Sequence, residues 1–206
     1  MQGIRKKLSN FWYYYKVHTV VAVITVLILA ILVSQCAAKE SYDYAVVLSM
    51  ATVVEEPAAE LMGEELARFG EDLNGDGKVM VEVINCTYGS NDTVRINQLG
   101  KLQARLALPE TVIFLLDEAS FSDLDDMGLF GTADGFDAKA GKALSLKGTP
   151  MDMLVQNRYG NVLPSDWYLC MRGYDSSAQG GDTAAALYAE QSRALVARLL
   201  SAYRAD

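Results

Sequence analysis

The sequence predicts an α/β fold: an N-terminal transmembrane helix followed by one small three-layer domain with a mostly parallel sheet. Three observations point there. Residues 17–33 are apolar apart from His18, Thr19 and Thr25, which is the composition of a membrane-spanning helix at the short end of the usual range. Residues 42–117 alternate β-branched, strand-like runs with stretches of helical periodicity. The connections between those runs are short, and strand–helix–strand units joined in this way form right-handed crossovers in a parallel sheet. Four segments result: a cytoplasmic basic-aromatic segment (1–16), an anchor (17–35), a linker (36–41) and an extracytoplasmic α/β domain (42–206).

Charge sets the orientation of the anchor. Arg5, Lys6, Lys7 and Lys16 precede it with no acid among residues 1–16, so the N-terminus is expected in the cytoplasm and the rest outside, in a single-pass arrangement at the cell membrane. Trp12 to Tyr15 have the amphipathic rings that settle at headgroup depth. The rivals are a cleaved signal peptide, whose small-residue site is poorly met at Ser34-Gln35-Cys36-Ala37-Ala38, and lipidation of Cys36, which Gln35 disfavours. A linker of about five residues reaches at most roughly 18 Å, which would keep the outer domain close to the bilayer.

Composition narrows the partners. The whole chain carries a net charge of −8, divided at the anchor: residues 1–41 hold five Lys/Arg against one Glu, and residues 42–206 hold 13 Lys/Arg against 25 Asp/Glu. Nucleic acid and anionic headgroups repel such a domain; a membrane-protein complex is the expected partner, and the small-molecule ligand is unspecified. Outside the cell, Cys86 and Cys170 are free to pair or to stay buried as thiols.

The elements follow in order. Tyr42 to Ser49 reads as a strand covered on both faces. Glu55, Glu56 and Pro57 open a helix with acids at the positive end of its dipole, and Met62, Leu66, Phe69 and Leu73 line one face of it up to Asn74-Gly75-Asp76-Gly77. Lys78 to Thr87 is a second strand. Asn91 or Asp92 caps a helix carrying Leu99, Leu102 and Leu106, which ends at Leu108-Pro109. Thr111 to Asp117 is a third strand, followed by a short helix through Glu118 to Leu124. Ala143–Leu146, Met153-Leu154-Val155 and Trp167–Arg172 read as further strands. Gly180-Gly181-Asp182 leads into a final helix with Leu195, Val196, Leu199, Leu200 and Tyr203 as its apolar stripe.

One motif carries specific chemistry. Asp72-Leu73-Asn74-Gly75-Asp76-Gly77-Lys78 matches the first half of a calcium loop, with side-chain oxygens at positions 1, 3 and 5, glycine at 6 and a backbone carbonyl from Lys78 at 7. The bidentate acid that closes an EF-hand at position 12 is missing, because Val83 stands there. A structural calcium site completed by an acid from elsewhere is the expectation; its rival is a turn that uses the same residues for turn chemistry alone. His18, the only histidine, lies in the anchor, so the outer domain has no Ser-His-Asp triad, Cys-His pair or histidine metal site. Asn85-Cys86-Thr87 and Asn91-Asp92-Thr93 fit the glycosylation pattern.

The run Asn10-Phe11-Trp12-Tyr13-Tyr14-Tyr15-Lys16, a single span and the segment Gly70–Val79 resemble uncharacterised membrane-anchored proteins of Gram-positive bacteria. The order of elements in 42–117, ending in Thr111-Val112-Ile113-Phe114-Leu115-Leu116-Asp117, is similar to the first lobe of type II extracellular solute-binding proteins, over about half of the outer domain. That resemblance implies a solute-binding-like fold and assigns no ligand residue. The functional expectation is a non-catalytic, membrane-tethered binding or accessory domain serving a transporter or envelope complex. The alternative is an envelope enzyme using paired carboxylates, as glycoside hydrolases do. In open α/β sheets ligands bind at the carboxyl ends of the strands. That rule selects Ser49, Thr52, Thr87, Tyr88, Ser90, Asp117 and Glu118, with Arg172 a further candidate whose strand direction is open.

Overall fold

The computed structural model describes residue 15 and residues 17–32, 42–173 and 183–204. Residues 1–41 and 42–206 form two compact units. In the first, residues 17–32 form helix α1. Its apolar side chains are about half exposed or more, from Val20 at 49% to Val17 and Val26 at 64%. Thr25 returns its hydroxyl proton to the Val21 carbonyl at 2.9 Å, so that polar group is satisfied within the helix. The described part of α1 rises about 24 Å, against a hydrocarbon core of about 30 Å. Among the described residues, no helix is long and apolar enough to cross a membrane. The basic and aromatic flank, the linker and Cys36 lie outside the described residues, as do Gly180 to Asp182.

The second unit is an α/β domain with a five-stranded mixed sheet flanked by helices. Strands β1 (Tyr44–Ser49), β2 (Val81–Asn85), β3 (Thr111–Asp117), β4 (Ala143–Ser145) and β5 (Trp167–Met171) lie in the order β2-β1-β3-β5-β4. β1 pairs in parallel with β2 and β3. β5 enters antiparallel between β3 and β4. The sheet is thus parallel only in part, and the expectation of a mostly parallel sheet is refined by that insertion. Because β5 is reversed, Met171 pairs with Ile113 near the start of β3. Arg172 therefore lies at the opposite edge from Asp117, where its guanidinium donates to the Leu106 carbonyl at 3.0 Å.

Two cores sandwich the sheet. Alternate residues of β1 divide between them, Tyr44, Val46 and Leu48 to one side and Ala45 and Val47 to the other. The first side is covered by α2 (Glu56–Ala67), α5 (Pro150–Tyr159) and α6 (Thr183–Tyr203), through residues such as Met62, Leu66, Met151, Val155, Leu195 and Leu199. The second is covered by α3 (Asp92–Leu106) and α4 (Glu118–Asp125), through Leu102, Phe121 and Leu124. Phe130 adds to that side, stacked on Phe121 with ring centroids 5.4 Å apart.

Two expectations are corrected. Met153-Leu154-Val155 belongs to α5 and is not a strand. Thr149 caps the helix by accepting from the Asp152 amide, Pro150 occupies its first turn, and Gly160 ends it with a φ of 76°; these local signals override a short apolar run. Helix α2 ends at Ala67, so Phe69 and Leu73 join the core from the loop that follows. Arg198 on α6 holds that loop by donating to the Phe69 carbonyl at 2.9 Å. Buried Asp152 joins α5 to β5, accepting from Gly148 N, Gln156 Nε2 and Trp167 Nε1 at 2.8, 2.9 and 3.1 Å.

Candidate functional site

The residues selected at the carboxyl ends of the strands divide into tethers and lining groups. Asp117 is buried, and both of its oxygens are committed. One accepts from Ser120 N at 2.9 Å and caps α4; the other accepts from Ala51 N at 2.6 Å and holds the loop after β1. Thr87 is buried as well. Its hydroxyl accepts from Val54 N at 3.2 Å and donates to Asn85 Oδ1 at 2.8 Å, while Asn85 Nδ2 donates to the Val54 carbonyl at 2.7 Å. These groups fasten the β1–α2 loop to β2 and β3. Thr52 and Ser90 are exposed on the loops themselves.

Ser49 and Tyr88 line a cleft between α3 and α4, over the end of β1, with a volume of about 100 Å³. The cleft exists because α3 covers the sheet sparsely. Asn91 caps α3 by accepting from the amides of Thr93 and Val94, yet Leu102 is its one buried residue. Leu99, Leu102 and Leu106 of α3 face Leu124 and Met127 across the opening. Ser49 and Ser120 also line it, at 4% and 5% exposure, and the Ser120 hydroxyl is buried without a hydrogen-bond partner. Arg95, Gln103 and Asp123 complete the lining. The Arg95 guanidinium lies 5.5 Å from the centre of the Tyr88 ring, within cation–π range.

Glu118 belongs to a separate cluster. It accepts from the Lys139 ammonium and, at 3.0 Å, from the Tyr168 hydroxyl. Lys139 also sits over the rings of Phe121 and Tyr168, at 5.5 and 5.2 Å. The hydrogen bond from Lys139 holds the Glu118 carboxyl below its ordinary range, and the same bond raises the Lys139 ammonium. Burial is the main cause that pushes the Tyr168 phenol up. All three shifts favour a fixed Lys139–Glu118 ion pair beside a neutral phenol, which is the opposite of what an amine nucleophile or a phenolate base requires. The pair fastens a strained turn, since Lys139 and Ala140 have φ of 51° and 56°, a region that costs non-glycine residues energy.

The calcium-type loop lies at the other end of the strands. Asp72 Oδ1 accepts from Gly75 N and Asp76 N at 2.7 and 3.2 Å, and Oδ2 accepts from Gly77 N at 2.8 Å. Asn74 Oδ1 accepts from Asp76 N at 2.8 Å, and Asp76 Oδ1 from Lys78 N at 2.9 Å. Gly75 and Gly77 supply the positive φ, 75° and 84°, that lets the chain wrap this tightly. Buried Asp43, just before β1, completes the fastening. Its Oδ1 accepts from Leu73 N and Asn74 N, and its Oδ2 from Met80 N, at 2.8, 3.1 and 2.8 Å. Glu82 turns away to pair with Arg105 at 3.1 Å. Among the described residues, no group of three or more His, Cys, Asp or Glu side chains is placed to hold a metal.

Cys86 and Cys170 are both buried free thiols, in strands separated by β1 and β3. Burial pushes both thiols up, which leaves them poor nucleophiles. The groups that sequence reasoning missed are Arg95, Gln103, Ser120 and Asp123. Arg95 alone carried a signal, as a cation near the positive end of a helix, where acids are favoured. Compared with protein-family models, curated proteins and solved structures, the chain matches none.

Proposed function

We propose that this protein is a non-catalytic binding domain, tethered to a membrane by its N-terminal segment, with the α3/α4 cleft as its binding site and a membrane-embedded transporter or envelope complex as the system it serves. The observation that carries the reading is the cleft itself: leucine-lined, at the carboxyl ends of parallel strands, beside a buried hydroxyl that lacks a partner. A polar atom in that state costs about 1–3 kcal/mol, and natural domains keep few of them away from a site of use. Asp123 is the one carboxylate lining the cleft. Glycoside hydrolysis needs two flanking a single bond, so the lining favours binding over the paired-carboxylate alternative. For the anchor, the support is α1, an apolar helix exposed on all sides, which is the pattern of a span rather than of a helix in water.

Photocrosslinking in intact cells tests the binding reading. A crosslinker at Met127 or Leu99, on the exposed rim, should capture a membrane protein, while one at Lys78, at the other end of the strands, should not. Equal capture from both positions, or none from the rim, would sink it. The calcium reading of Asp72, Asn74, Asp76 and Lys78 is a second proposal, supported by the ligand spacing and by carboxylate oxygens gathered within one tight loop. Millimolar calcium should raise the melting temperature of the full-length protein, and an Asp72→Asn, Asp76→Asn variant should lose that rise.

A further inference from the structure

We propose that the cleft selects an aliphatic α-amino acid, with the ligand's carboxylate on Arg95, its ammonium on Asp123 and its side chain among Leu99, Leu102 and Leu124. The proposal rests on the reading of the cleft as a binding site and names the class of ligand it takes.

Charge carries the argument. Arg95 lines the cleft from α3 and Asp123 from α4. Neither forms an ion pair among the described residues, whereas Arg105, Lys139, Lys142 and Arg198 all do. A ligand that fills the opening displaces water from both groups. A carboxylate alone would compensate Arg95 and leave Asp123 desolvated, an amine alone would do the reverse, and an uncharged ligand would compensate neither. A zwitterion answers both. The domain's excess of acids, 25 against 13 Lys/Arg over residues 42–206, points the same way, since its field repels a simple anion but not a molecule of zero net charge.

Shape sets the side chain. Between the two charged groups the lining is leucine and methionine, which rewards aliphatic carbon. The volume of about 100 Å³ is smaller than the roughly 150 Å³ apolar cavity that accommodates benzene. A branched chain of about four carbons fits that space and an indole does not.

Calorimetry on the full-length protein in detergent tests this, with L-leucine, 4-methylpentanoate, 3-methylbutylamine, 3-methylbutan-1-ol and L-tryptophan as probes. Leucine should bind at least about tenfold more tightly than the acid, the amine or the alcohol, and tryptophan should not bind. Arg95→Gln and Asp123→Asn, exposed changes whose folding is checked by melting, should each weaken leucine about tenfold or more and leave the alcohol unchanged. If the acid or the amine equals leucine, or if either variant binds leucine normally, the assignment of class is overturned. Alcohol binding that a cleft-filling Leu102→Trp abolishes, with no advantage for leucine, would also overturn the class while upholding the site. Rim crosslinks without binding of any probe would do the same. The absence of both would overturn class and site together.

Discussion

Asp43, at the start of β1, accepts three backbone N–H groups; Ser120, beyond the end of β3, has a buried hydroxyl with no partner. The contrast extends to the surroundings of each. At the amino ends of the strands, Asp72, Asn74 and Asp76 turn their oxygens onto their own loop. At the carboxyl ends, Asp117 and Thr87 secure the loops but leave α3 with one buried residue and a cleft beneath it. One edge has its polar groups paired, and the other keeps some in reserve. Such a division is the expected mark of a scaffold edge and a working edge, because a paired group has little left to offer a ligand.

Four substitutions or conditions can break or sharpen that comparison. Asp43→Ala removes the acceptor of three buried amides and should cost about 4 kcal/mol in urea unfolding; a loss under about 1 kcal/mol would dissolve the contrast. Asp117→Ala loses the cap of α4 and the tie to Ala51, worth about 2 kcal/mol, and should raise hydrogen exchange in residues 50–55 before the rest of the sheet. Ser120→Ala removes a buried hydroxyl with no partner, so stability should hold or rise by up to about 1 kcal/mol. A clear destabilisation would reveal a bond that the hydroxyl makes.

The smallest effect concerns pH. Glu118 is held below its ordinary value of 4.5, so the stability it contributes is present above that value and is lost as pH falls through its lowered one. Lys139 is held above 10.5, so its contribution is present below that value and is lost as pH rises beyond it. Stability from this pair is therefore flat between about pH 5 and 10. Exposure limits the loss at either end to about 0.5 kcal/mol, measured as the difference between the wild-type and Glu118→Gln pH profiles.

Local chemistry made part of this legible. Pro57 and the acids before it mark α2, Asn91 caps α3, and Asn74 to Gly77 turn the chain, each through bonds between near neighbours. Strands β1 to β3 announce themselves by apolar runs buried on both faces. The insertion of β5 was not legible, because its direction depends on pairing with β3 and β4, residues far away in the chain. Even so, α5 held its signals in plain view at Thr149, Pro150 and Gly160, and the apolar run Met153 to Val155 drew attention from them. The cleft was hidden for a different reason. Arg95, Ser120 and Asp123 are common surface-type residues, and only the sparse cover of α3 brings them to one opening. Of the positions selected by topology, Ser49 and Tyr88 reach that opening, while Asp117 and Thr87 support it from behind.

The place of β5 has a consequence for how the chain is made. β3 has one of its two neighbours, β1, as soon as residues 44–117 are available, but its other edge waits for residues 167–171. β4 also waits, because β5 is its one partner in the sheet. During synthesis or export from the N-terminus, the first three strands thus hold an open, wholly apolar edge strand while some fifty further residues emerge. Open edges of this kind recruit other chains. The late arrival of Trp167 to Met171 is the step that closes the sheet, and it defines the interval in which this protein is most exposed to aggregation.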